Sequence, residues 1–149
     1  MTSAFFAPLV RRLASAALLA ASALLLPRPA RAELPPSAYE SMQSAAPEAL
    51  LIKITAANLQ PSETATHREV SIDAQAEVVE VQRSASGLKP GQTIVLRYQV
   101  RHAKQPMPGP SEPLVIAKGQ TYTAYLGGAG EPKKYSPAAG GKSFVEAKK

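Results

Sequence analysis

From residue 49 onward the chain alternates apolar and polar side chains. Leu50, Ile52 and Ile54 alternate with Leu51, Lys53 and Thr55, and a period of two reads as a strand. The clearest run comes next. Val70, Ile72, Ala74, Ala76 and Val78 share one face, and Ser71, Asp73, Gln75 and Glu77 share the other. The phase then slips, because Val78 and Val79 are adjacent and Val79 and Val81 continue the apolar set. A slip sends side chains to the wrong face unless a bulge or bend absorbs it. A long strand bent at Val78-Val79 is therefore predicted. In the third strand, residues 93–101, Ile94, Leu96, Tyr98 and Val100 face in, while Val95, Arg97, Gln99 and Arg101 face out. Residues 114–116 predict a short fourth strand. Residues 121–126 predict a fifth, with Tyr122, Ala124 and Leu126 on one face and Tyr125 on the other.

Turn formers divide these runs. Residues 58–67 are polar, hold Pro61 and read as a loop. Pro90-Gly91 suits a type II turn, which needs φ > 0 at its third position. Residues 104–113 contain Pro106, Pro108, Pro110, Pro113 and Gly109, so they cannot join a central ladder and predict a long surface loop. Lys118-Gly119-Gln120 turns the chain. Residues 128–149 are rich in Gly and Pro and predict an extended or partly disordered tail, pinned back by Tyr135 and Phe144. The period changes only over residues 33–47. There Ser37 and Glu40 have the spacing of a capping box, and Tyr39, Met42, Gln43 and Ala46 share a helical face. A short helix ended by Pro47 is expected to cover one mouth of a β domain spanning residues 48–127.

The fold class expected is all-β with a small α element: a five-stranded antiparallel OB-like barrel with a short N-terminal helix. A small antiparallel sandwich is the alternative, because alternation does not reveal strand order.

The first 32 residues follow a different pattern. Arg11 and Arg12 precede an unbroken Leu, Ala and Ser stretch over residues 13–26, shorter than the roughly 20 residues a membrane-spanning helix needs. Pro27 and Pro29 break it, and Ala30-Arg31-Ala32 supplies the small-x-small pattern of signal peptidase, with cleavage expected between Ala32 and Glu33. Arg11-Arg12 invites a twin-arginine reading, but Leu13-Ala14-Ser15 fits that motif poorly, so the general secretory route is expected. The expected location is periplasmic or extracellular, with no stable membrane anchor after cleavage.

Removing this segment changes the charge. It carries four of the 17 bases and none of the 11 acids, which leaves 13 bases against 11 acids, a net +2 instead of +6. That balance gives no dense basic face for nucleic acid. The chain has no Cys, so an exported domain here relies on packing without disulfides, and thiolate metal sites and cysteine nucleophiles are excluded.

The stretch 76–126 resembles the core of the netrin-like and metalloproteinase-inhibitor modules. The shared elements are Val78-Val79-Glu80-Val81, the turn Gly87-Leu88-Lys89-Pro90-Gly91-Gln92, Ile94-Val95-Leu96, and Gly119-Gln120-Thr121-Tyr122 running into Tyr125-Leu126. The resemblance implies an OB-type barrel. It carries no inhibitory residue across, because those modules act through cysteines that this chain lacks. The chain is also similar to small exported bacterial proteins, which lend it no activity.

Candidate chemistry is sparse. Gly141-Lys142-Ser143 looks like the end of a phosphate loop, but Ser136 stands where that pattern needs its first Gly. His67 and Glu69 make at most two arms of a metal site, where three or four ligands are wanted, and His102 sits at a strand end. Asp73, Glu77 and Glu80 read as a solvated face rather than a carboxylate pair. No cofactor and no metal site is expected. The outward Arg97 and Arg101, with Tyr125, form the candidate binding face, since Arg offers directed donors and Tyr stacks; edge protection is the competing explanation. The expectation is a non-catalytic module that binds a protein or cell-envelope component. A small secreted enzyme or inhibitor acting through the Arg/Tyr face is the alternative.

Overall fold

The computed structural model describes residues 33–105, 110–128 and 130–147. Residues 1–32, read above as a signal peptide with Ala30 and Ala32 at its expected cleavage site, lie outside the described residues, and Glu33 is the first described.

The elements in order are α1 (Pro36–Ala45), β1 (Glu48–Glu63), β2 (His67–Ser84), β3 (Thr93–Ala103), β4 (Thr121–Gly128), β5 (Lys134–Pro137), a single 3₁₀ turn (Gly140–Lys142) and β6 (Phe144–Glu146). They form one sheet ordered β1-β2-β3-β5-β4-β6, and β1 also pairs with β4, so the sheet closes in a ring. All pairings are antiparallel except β3 with β5, which run parallel. The strictly antiparallel, five-stranded expectation is therefore corrected to six strands in a mixed sheet. One ring also replaces the two facing sheets of the sandwich alternative.

Alternation is obeyed where it was legible. Leu50, Ile52, Ile54, Ala76, Val78, Ile94, Leu96, Ala124 and Leu126 lie inside the ring and are fully buried. The phase slip is a bulge. Leu51 pairs with Glu80 and the next residue, Ile52, pairs with Val78, which leaves Val79 as an extra residue, 46% exposed. Two further bulges, one next to Leu50 and one at Thr55, lie in the same half of the hairpin. Bulges raise local twist, which lets β1 pair with β2 on one edge and β4 on the other.

Four expectations are corrected. The polar loop over residues 58–67 is mostly strand: β1 continues to Glu63 and only residues 64–66 turn. Thr64 donates its N–H to the His67 carbonyl at 2.9 Å. Even-numbered residues before it therefore point their backbone groups at β2, and Pro61 points its nitrogen away, at the sheet edge. Proline costs no ladder bond there. The short strand over residues 114–116 is absent; that segment is irregular, though Ile116 is fully buried. The tail supplies β5 and β6, because Tyr135 and Phe144 are buried in the core and carry their neighbours into the sheet. Finally, the capping box is not formed. Pro35 is the N-cap and Pro36 the first helical residue, where its preset φ suits it, so Ser37 already lies inside the first turn.

Both predicted turns are present. Gly91 has φ +84° and Gln92 donates to the Lys89 carbonyl; Gly119 has φ +85° and Gln120 donates to Ala117. A side chain at either glycine meets no neighbour, so the positive φ alone requires glycine there.

Candidate functional site

The hairpin of β1 and β2, with β3 beside it, carries a polar outer face. The registers line up three residues per rung. Asn58 pairs with Asp73 and Asp73 with Arg97; Gln60 pairs with Ser71 and Ser71 with Gln99; Ser62 pairs with Glu69 and Glu69 with Arg101. Successive rungs are two residues apart, so all three project from the same side. Neighbours across the sheet bond side chain to side chain. Arg97 donates through Nε (3.1 Å) and through a terminal nitrogen (2.7 Å) to Asp73 Oδ2. Gln99 Nε2 donates to Ser71 Oγ at 3.3 Å, and Arg101 Nε to Glu69 Oε1 at 2.5 Å. At the open end Lys104 reaches Glu63 at 2.7 Å.

The electrostatic result is compensation. The Asp73 hydrogen bond and charge hold the Arg97 guanidinium above its ordinary pKa. The two arginines that the alternation places outward are thus committed, rung by rung, to acids of β2. A shallow hollow of about 410 Å³ lies across the upper rungs, lined by Asn58, Gln60, Ser71, Ile72, Asp73, Arg97, Tyr98 and Gln99. Its side chains offer both donors and acceptors with no net charge.

Tyr125 is elsewhere. It lies on β4 opposite Ala49 and lines a second hollow, of about 340 Å³, with Glu40, Gln43 and Arg83. The structure keeps Arg97 and Arg101 on one face, with Arg97 lining the hollow and Arg101 outside it, and leaves Tyr125 on neither.

The remaining candidates have structural partners. The Glu69 carboxylate is held by Arg101. His67 Nδ1 sits 2.7 Å from Thr66 Oγ1 in the exposed turn, and His102 is exposed opposite Arg68. Among the described residues no three His, Asp or Glu side chains gather as metal ligands. Gly141-Lys142-Ser143 is a packing motif. A side chain on Gly141 would lie 2.4 Å from Ser111 Oγ, the Lys142 carbonyl accepts from Gln43, and the buried Ser143 Oγ accepts the Ala139 N–H.

Three features were missed. Arg83 donates to the Ala46 carbonyl through Nε (3.0 Å) and to the Gln43 and Ala46 carbonyls through one terminal nitrogen (2.8 and 2.7 Å). A cation there meets the unpaired carbonyls at the end of α1. Ser111 accepts or shares a hydrogen bond with the Tyr39 hydroxyl at 2.7 Å, and its carbonyl accepts from Gly141 at 2.7 Å, so it ties helix, loop and tail together. Glu48 has the parity of Leu50 and Ile52 and points inside the ring, 2% exposed. Its Oε1 accepts the Ser86 N–H at 2.9 Å, while Oε2 has no partner among the described residues. The parity of Glu48 was the one available signal for these.

No helix among the described residues is long and apolar enough to cross a membrane. No protein-family model matches the chain, and comparisons with curated proteins and with solved structures return no match either.

Proposed function

We propose that the chain is exported through its N-terminal segment and acts as an OB-type barrel module. In this reading it binds a protein or cell-envelope component on the outer face of β1–β3. One observation carries it: the three polar rungs present paired donors and acceptors whose charges cancel. Such a face has little long-range attraction for a polyanion, and it recognises a ligand through short-range hydrogen bonds and local charge pairs. The closed order β1-β2-β3-β5-β4 and the position of the hollow on β2–β3 support the OB-type reading, since modules of that kind bind ligands on their second and third strands.

The test is affinity capture from an envelope extract with the full chain as bait. A recovered partner, lost about tenfold when Ser71→Arg puts a bulky cation on the middle rung, is the expected result; about 1.4 kcal/mol of lost binding gives that factor. Recovery of no partner, or equal recovery by Ser71→Arg, overturns the reading.

A further inference from the structure

The two edges of the three-stranded face differ. In β3, Val95 donates its N–H to the Lys133 carbonyl at 3.0 Å, on the side away from β2. Odd-numbered residues of β3 therefore turn their backbone groups to that side. β5 accompanies β3 only at Val95 and Leu96, then leaves to pair with β4 at Leu126. From Arg97 onward, the N–H and C=O groups of Arg97, Gln99 and Arg101 make no backbone bond with any other described residue. An unpaired row of this kind is a template for another strand. The opposite edge, along the outer half of β1, is interrupted by Pro61. The β3 edge holds no proline among residues 97–103.

Charge says what fits. β3 contains Arg97, Arg101 and His102 and no acid. On the β2 side Asp73 flanks Arg97 and Glu69 flanks Arg101; on the outer side the nearest acid is Glu131, whose charge acts on Arg97 and which Lys134 pairs, and the arginine side chains remain 54% and 55% exposed. A strand added on the outer side with acids two rungs apart would place each guanidinium between two carboxylates. An amide or hydroxyl between those acids would meet Gln99.

We propose that the β3 edge, residues 97–101, takes up an extended acidic peptide of a protein partner by strand addition. Main-chain bonds to Arg97, Gln99 and Arg101 hold it, and acids spaced four residues apart select it. This rests on the reading of the β1–β3 sheet as the ligand-bearing surface.

The probe is a fluorescein-labelled peptide, Thr-Glu-Thr-Gln-Thr-Glu-Thr, titrated with the full chain by fluorescence anisotropy. Its counterpart has Lys in place of both Glu. The acidic peptide is expected to bind at least about tenfold more tightly than the Lys form, with the gap closing as salt rises. Gln99→Pro removes an outward N–H without touching the ladder to β2, and Pro61 shows that this sheet holds proline at an edge. It is expected to lose the acidic peptide, whereas Gln99→Ala, which keeps the N–H, retains it. Should Gln99→Pro fail to fold, judged by circular dichroism, Arg101→Glu decides: its preference should shift toward the Lys peptide. Equal binding of the two peptides, full binding by folded Gln99→Pro, or an unchanged preference in Arg101→Glu overturns the proposal. Peptide binding without envelope capture overturns the face reading alone; capture without peptide binding overturns the edge alone.

Discussion

The β1–β2 hairpin has two halves with the same alternating pattern and different fates. In the inner half, residues 48–54 are covered on one edge by β2 and on the other by β4, and their inward side chains are fully or nearly fully buried. All three register shifts lie there or at its border. In the outer half, residues 56–63 pair one to one with β2 only, and the inward-parity residue Leu59 remains 41% exposed. Alternation marks which face is apolar. It does not say whether a second sheet edge or a core arrives to cover it. The inner half makes the fold, and the outer half carries a regular polar face that folding does not consume.

The largest expected effect tests that division directly. Ile52→Ala in the inner half should cost about 2–5 kcal/mol, since it opens a cavity in a closed core. Leu59→Ala at the matching parity in the outer half should stay within about 0.5 kcal/mol. Denaturant unfolding of both variants checks the contrast. Comparable losses would mean that the outer half is packed like the inner one.

Tyr98 lies on the rung of Leu59 and Ile72, beside the outer half, and gives a smaller effect with a pH signature. Its ring is 5.6 Å from Phe144, centroid to centroid, and its hydroxyl donates to the Leu114 carbonyl at 2.6 Å. Burial pushes the phenol well above its ordinary pKa. The sign follows from proton counting. Once the pH passes the ordinary tyrosine value of about 10, the unfolded chain loses this proton while the folded chain keeps it, so stability is present below that value and falls above it. The slope approaches about 1.4 kcal/mol per pH unit for one group. Tyr98→Phe should cost about 1 kcal/mol at neutral pH through the lost hydrogen bond, and its alkaline decline should be shallower by that slope. Thermal melts from pH 8 to 11 measure it; parallel curves for the two proteins would contradict the assignment.

The smallest effect belongs to the polar rungs. Glu69→Gln removes the charge opposite Arg101 on a solvated face and should cost about 0.2–1 kcal/mol, less at high salt. A larger loss would move this rung from the ligand face to the fold, and the comparison between the two halves would no longer hold.

Much of the strand pattern was legible because period-two alternation and Gly/Pro turn chemistry are local. Ile94 to Val100, Tyr122 to Leu126, the slip at Val79 and the glycine turns could all be read from neighbours in the chain. The failures share a cause. Pro61 reads as a breaker unless one knows that its nitrogen faces an edge. Residues 128–147 read as a tail unless one knows that Tyr135 and Phe144 find core to enter. The arginines of β3 read as free donors unless the register that sets them against Asp73 and Glu69 is known. Tyr125 reads as their neighbour unless strand order is known.

The sequence alone therefore determined that the domain is mostly strand, which side of each legible strand is apolar, and where the sharpest turns and one bulge fall. These follow from side-chain periodicity and local backbone limits. Only the tertiary structure decided that the sheet closes through β1 and β4, that β5 runs parallel to β3, that the arginines are paired with acids of β2, and that one outer edge carries proline while the other has no backbone partner among the described residues. Those depend on which distant residues pair, and a local pattern holds no information about register or edge.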